Sequence, residues 1–467
     1  MAPSSYRDDR LIVIQIGSQT TKVTNGLGES LAPPQFHIAT VVGQVSGSSS
    51  FFIPSELTEA KSYALIRPIR RGFVENWDAL IFLWSHILYE KAGLPNPLTP
   101  DNSDHPVMLL VPSVWSPEDR ERATKIFMEA FALPAFMIHE ESLAGLYACG
   151  SLHGLVVDIG CEKTDITPIV DSLIVPYAKI SIPLGGFHQT QYLQKLLRDN
   201  PPKLNGEIIS DVSFDLAEQI KTSGITELRL QNIAEITDED PVEDIAEVVA
   251  SGKTKEYIAK KEAEKQRQVN ETLKLNIELE YNSFTAPKGT ILVGPERFLT
   301  HEILEKGYEG CPSLPEAVHL AVSLVEPTRR GDMWENLLIC GGGARVKGLR
   351  PHLLSLMSKQ YTAASTAHQP QPFSIISTPS GSNGTNTPVN PGSGNQAGQA
   401  SNVRLLKIPE YFIEWKEGKE KAVFEEVCFL GGQILGKVTF NDAASSIGAY
   451  LTREEYFLRG PSEIHRV

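Results

Sequence analysis

The chain has 467 residues, more than one hydrophobic core usually fills, so two large lobes or several subdomains are expected. Hydrophobic residues at 41% and charged residues at 21% describe an ordinary globular protein, and no apolar run reaches the roughly 18 to 20 residues that a membrane span requires. A net charge of -14 works against non-specific attraction to a phosphate backbone, which makes direct DNA binding a poor first reading.

The start, MAPSSYRDDRLIV, places charges where a signal peptide would carry its apolar core, so the chain is read as intracellular. Its five cysteines (Cys149, Cys161, Cys311, Cys340 and Cys428) form no CxxC or Cys/His pair at metal spacing. They are expected as thiols in a reducing compartment, mostly as small buried groups.

In chain order, Leu11 to Val23 predicts strand, tight turn and strand: LIVIQI, GSQ, TTKV. NWDALIFLWSHILYEKA, residues 76 to 92, spaces Leu80, Ile81, Leu83, Trp84, Ile87 and Leu88 as a helix behind Asn76, a good N-cap, with Trp77 and Trp84 read as core and not as a binding surface. The apolar strand PVMLLVPSV follows, then a second helix announced by Ser116, Pro117 and Glu118. GLVVDIGCEKTDITPIV, residues 154 to 170, repeats the first hairpin, a weak internal duplication that predicts two related lobes about a cleft.

Further on, the highly charged stretch after TDEDPVED predicts exposed helices, and residues 362 to 402 are so rich in Ser, Thr, Gly, Pro, Asn and Gln that a disordered insertion is expected. Structure is expected to resume at 403, with a helix in FEEVCFLGGQILGKV.

Seven segments in order carry a family resemblance: NWDALIFLWSHILYE, IFMEAFALPAFMIHEESLAGLYACG, VVDIGCEKTDITPIV with IPLGG, ILVGPERF, ENLLICGGGARVKGL, FLGGQIL and LTREEYFLRGPSEIHR. Together they resemble the actin family over nearly all of the chain outside the insertions. The resemblance implies an α/β, actin-like ATPase fold with two duplicated lobes around a central cleft. The expected boundaries are 1–153 for the first lobe, 154–361 for the second with a charged insertion near 222–290, 362–402 for the disordered insertion, and 403–467 for a segment returning to the first lobe. GSQTTKV, TDITPIVD, AEVVASGKTKEYIAKKEAEK and IPEYFIEWK resemble the actin-related subunits of fungal SWI/SNF and RSC type remodelling complexes.

Members of this family hold ATP on backbone N–H groups of two glycine-bearing hairpins, with acids organising a metal. The resemblance maps the nucleotide pocket onto Gly17, Ser18, Lys22, Asp158, Gly160, Lys221, Gly341, Gly342 and Gly343. Three departures suggest a vestigial pocket. Gln15 stands where an acid is expected, Cys161 replaces an acid, and Glu162 replaces a glycine. If Glu162 points inward, two unit charges about 4 Å apart repel by roughly 4 kcal/mol at an effective dielectric near 20. Glu141 matches the water-orienting glutamine and adds another carboxylate. The expectation is no catalysis, no metal and no resident cofactor, with room for weak ATP binding. The plainer reading keeps the glycines for tight turns alone and Lys22 as a solvated strand residue.

The resemblance also implies that a partner helix would occupy a groove walled by Tyr147, Ala148 and Gly150 on one side and by Leu430, Ile434, Leu435 and Val438 on the other, the alternative being that most of these are core. The resemblance implies a non-catalytic subunit of an ATP-dependent chromatin-remodelling complex in the nucleus. Its partners would be a second actin-related protein and the helicase/SANT-associated helix of the motor ATPase, with only indirect nucleosome contact and no membrane. The competing readings are an ATP-binding switch and a dynactin-type cytoskeletal protein.

Overall fold

The computed structural model describes residues 6–45, 50–54, 63–100, 102–209, 211–228, 276–281, 289–361, 402–415, 424–441 and 449–467. Most of the charged stretch within 222–290, and residues 362–401 of the expected disordered insertion, lie outside them. Two compact units are present: Met1–Gly186 with Leu314–Arg345 and Leu354–Val467, and Phe187–Ser313 with Val346–Leu353. The expected boundary at 153/154 falls between two sheets of the larger unit.

Those two sheets are built alike. Ile12–Gln15 turns back antiparallel onto Thr20–Asn25 and runs parallel to Val107–Val111. Gly154–Ile159 turns back onto Thr164–Val170 and runs parallel to Leu337–Cys340. Val107–Val111 and Leu337–Cys340 are buried throughout, which explains their runs VMLLV and LLIC with no polar alternation. Leu451–Thr452 pairs with Ala135–Glu140, so the C-terminal segment joins the sheet of the first hairpin.

The helix starts follow local chemistry. Asn76 Oδ1 accepts the Ala79 N–H at 2.9 Å, and Ser116 with Asp119 forms a complete capping box behind Pro117. The helix expected over 76–92 forms as Trp77–His86, after which Ile87–Lys91 widens into a π-helical turn. Trp84 is fully buried, 4.7 Å from Phe127, as expected of a core residue.

One core joins both sheets. It takes Val13 and Leu110 from the first and Val156 and Leu338 from the second, with Leu146, Phe429 and Leu430 from the helices between them. Those helices, Glu141–Ala148 and Val427–Asn441, meet backbone to backbone: a Cβ at Gly431 would lie 1.7 Å from the Ala144 carbonyl oxygen. The paired glycines of FLGG therefore serve packing. Unit two has its own core of Leu193, Leu197, Leu216, Ile220, Ile291 and Val293.

Candidate functional site

The register of the hairpins sets the geometry. Gln15 lies opposite Lys22 in the first, and Asp158 lies opposite Asp165 in the second. At the N-terminus of the Glu141–Ala148 helix, Glu141 Oε2 accepts a hydrogen bond from Gln15 Nε2 at 2.9 Å. Burial, then the charge of Asp158, pushes the Glu141 carboxyl up to about 8. Burial and the neighbouring Asp165 push Asp158 up to about 6, while Lys22, Lys163 and a hydrogen bond with Glu141 work the other way. Two carboxyls thus share one site, and at neutral pH Glu141 keeps its proton.

Cations already surround this cluster. Lys163 Nζ lies 2.5 Å from Asp165. Lys22 has a side chain only 16% exposed and stands 3.9 Å from Glu426, which correlates it with a buried acid rather than with solvent. Glu426 also meets His37 at 2.5 Å, and its neighbour Glu425 meets Arg345 at 2.5 Å. The reading of Lys22 as a solvated strand residue is therefore corrected: the Phe424–Glu426 turn ahead of the 427–441 helix brings to it an acid, Glu426, that is remote in sequence.

The turns are closed by side chains. Cys161 Sγ donates to Gln19 Oε1 at 2.8 Å, linking one hairpin turn to the other. Ser18 Oγ accepts the Gly72 N–H at 3.0 Å. Glu162 is engaged at 3.3 Å by Arg70, so its carboxylate has a partner instead of standing alone. Gly160 N–H closes its turn on the Lys163 carbonyl at 2.9 Å. Gly341 has φ +87°, and a Cβ there would lie 2.1 Å from Asp158 Oδ1, so this position is glycine for both conformation and space. Gly342 is open on that side, and Gly343 is buried against Ile159.

The larger unit thus brings together Gly17, Ser18, Lys22, Asp158, Gly160 and Gly341–Gly343. Lys221 belongs to unit two, where its Nζ donates to Thr190 Oγ1 at 2.7 Å and pairs with Glu218 at 2.8 Å.

The expected groove divides by burial. Leu430 and Ala148 are core, at 0% and 1% exposure, so neither presents a surface to a partner. This corrects their assignment as groove walls, and the reason is the close helix contact at Gly431. Tyr147, Ile434 and Leu435 are half-buried, Gly150 is exposed at φ +71° just after its helix, and Val438 is 63% exposed.

Comparison with protein families matches residues 7–378 to the Actin family. The chain belongs to the actin family. Its mixed α/β architecture with duplicated hairpins is the actin-like ATPase fold, as the motifs implied. Among curated relatives, the "SWI/SNF and RSC complexes subunit arp9" of Schizosaccharomyces pombe is 35% identical, over 99% of this chain and 99% of its own length. "Actin-like protein 9" of Bos taurus is 27% identical, over 74% of this chain and 76% of its own.

Within this actin-family site, the sequence reading treated Gln15 and Glu141 as two separate departures. In space they are partners across one hydrogen bond, which sets an amide against an acid. Sequence reasoning missed Gln19, Arg70, Lys163, Asp165, Glu425 and Glu426. Lys163 and Asp165 could have been found from the alternation of the second hairpin, whereas Arg70 and the 425–426 pair carry no local signal. Among the described residues, no helix is long and apolar enough to cross a membrane.

Proposed function

We propose that the chain is a non-catalytic subunit of a nuclear chromatin-remodelling complex, binding the helicase/SANT-associated helix of the motor ATPase beside a second actin-related protein. The observation that carries this reading is the 35% identity, end to end, with the fission yeast subunit.

The cluster at Glu141 supports a non-catalytic role. A metal-bound triphosphate needs open, ionised acids and phosphate-facing backbone, and these residues do not fit it. Glu141 holds a proton against Asp158, Lys163 neutralises Asp165, and the Gln19–Cys161 contact spans the turns. No hydrolytic step is routed through the site.

On the binding side, Tyr147, Ile434, Leu435 and Val438 offer apolar surface of the kind an amphipathic helix covers. The net charge of -14 complements a basic helix and speeds its encounter. Nucleosome contact is then indirect, through the motor.

The test is co-purification of the full chain with the motor's helix and the second actin-related subunit, comparing wild type with Val438→Asp. Val438 is exposed, so the variant should fold. A complex lost in the variant, with no ATP turnover in either protein, is the expected result. A folded wild type that forms no complex would move the reading to a nucleotide-binding switch or a cytoskeletal role.

A further inference from the structure

Unit two carries a constellation of another kind. His301 immediately precedes the Glu302–Lys306 helix and Glu305 lies four residues on, so the two side chains share one face. His352 arrives from the Leu349–Tyr361 helix, within Val346–Leu353, the short stretch by which the chain returns to this unit. Nε2 of His301 lies 3.0 Å and Nε2 of His352 lies 2.7 Å from the same Glu305 oxygen. The two rings stand 5.2 Å apart at 75°, and the three donor atoms all fall within 4.8 Å of one another.

This is a convergent N2O donor set. Two imidazoles disfavour calcium and magnesium, which take oxygen ligands, and suit zinc. Tetrahedral bonds of roughly 2.0 to 2.2 Å place donor atoms about 3.3 Å apart, so the two separations from the Glu305 oxygen, 3.0 and 2.7 Å, need open by only about 0.3 to 0.6 Å. Side-chain exposures of 11%, 21% and 29% for His301, Glu305 and His352 describe a shielded cluster that an ion and a water can still reach.

Burial works to raise the Glu305 carboxyl, but the hydrogen bonds from His301 and His352 outweigh it and hold the group below its usual range, ionised at neutral pH. Glu302 is outside the set, being taken up by Tyr192 and Lys306. His301 Nδ1 is buried without a hydrogen-bond partner among the described residues. No hydrogen bond therefore opposes the shift of the imidazole proton from Nε2 to Nδ1 that ligation through Nε2 requires. No acceptor strengthens the ligand either, which places the affinity below that of closed structural zinc sites.

We propose that His301, Glu305 and His352 bind one zinc-class divalent cation, which pins the returning 346–353 segment to unit two, with a fourth position left to water. The ion takes the place of two N–H···O hydrogen bonds and ties elements 47 residues apart in sequence.

The test uses the full chain stripped by chelation, titrated with Zn²⁺ against a chromogenic competitor and with Co²⁺ by visible absorption. Glu305→Gln is the decisive variant. Its amide oxygen still accepts from both imidazoles, so the hydrogen-bonded cluster and the fold survive while the anionic ligand is lost. One equivalent of Zn²⁺ bound by wild type, weakened about 100-fold or more in Glu305→Gln and in His352→Gln, is expected. Bound Co²⁺ should show d–d bands without a near-ultraviolet thiolate band, and Zn²⁺ should raise the thermal midpoint of wild type alone. Equal Zn²⁺ affinity in wild type and Glu305→Gln, or a thiolate band reporting the cysteines as ligands, would overturn the site and leave a hydrogen-bonded triad only.

Discussion

The two hairpins of the larger unit share a backbone and differ in charge. In the first, the cross-strand pair that starts two residues before the turn glycine is Gln15 and Lys22; in the second, it is Asp158 and Asp165. A duplicated backbone therefore delivers an amide and a cation from one side and two acids from the other. What they meet is Glu141, which accepts from Gln15 and shares a proton with Asp158. The chemistry of the site belongs to neither hairpin alone, and an acid absent from one is supplied from a helix.

The largest expected effect removes the shared proton. A carboxyl raised from 4.5 to about 8 keeps its proton in the folded state while the unfolded chain releases it. Its contribution therefore lowers stability progressively as pH rises from about 4.5 through about 8. Glu141→Gln mimics the protonated form, so its gain over wild type in urea denaturation should be near zero at about pH 4.5 and reach a few kcal/mol above about pH 8, one pKa unit corresponding to about 1.4 kcal/mol. No pH dependence of that gain would sink the shared-proton description.

Next comes the exchange across the contact. Gln15→Glu alone adds a buried carboxylate and should cost about 2 to 3 kcal/mol near pH 7. The double variant Gln15→Glu/Glu141→Gln keeps one acid and one amide across the bond, so the double-mutant cycle should give a coupling energy of about 0.5 to 3 kcal/mol between the two positions. A coupling energy near zero would show that the two positions are independent.

A smaller effect separates the turns themselves. A Cβ at Gly17 would lie 2.5 Å from the Thr20 carbonyl oxygen, against 3.0 Å from the Lys163 oxygen at Gly160. Gly17→Ala should cost about 1 to 3 kcal/mol and Gly160→Ala less than about 1 kcal/mol, by thermal or urea unfolding. The reverse order would break the geometric contrast. Smallest of all is Arg70→Ala, which frees Glu162 from a half-exposed ion pair and should change stability by at most about 0.5 kcal/mol, with the difference fading at high salt.

The hairpins, the Asn76 and Ser116 caps, the burial of Trp84 and the family were legible because each rests on local pattern: alternation, capping spacing, or motif order. The helix through Leu430 was legible too, but which of its faces packs inward was not. Leu430, Ile434, Leu435 and Val438 are all apolar at helical spacing, and only the partner helix at Gly431 distinguishes a core leucine from an exposed valine.

By itself, then, the sequence determined the repeated strand–turn–strand units, the helix starts and the residue types available at each turn, since these depend on neighbours a few positions away. The tertiary structure decided which charges meet. Gln15 and Glu141 are 126 residues apart and His37 and Glu426 are 389 apart. Whether a carboxyl is ionised depends on burial and on neighbours within a few ångströms, and both are set only when distant segments pack.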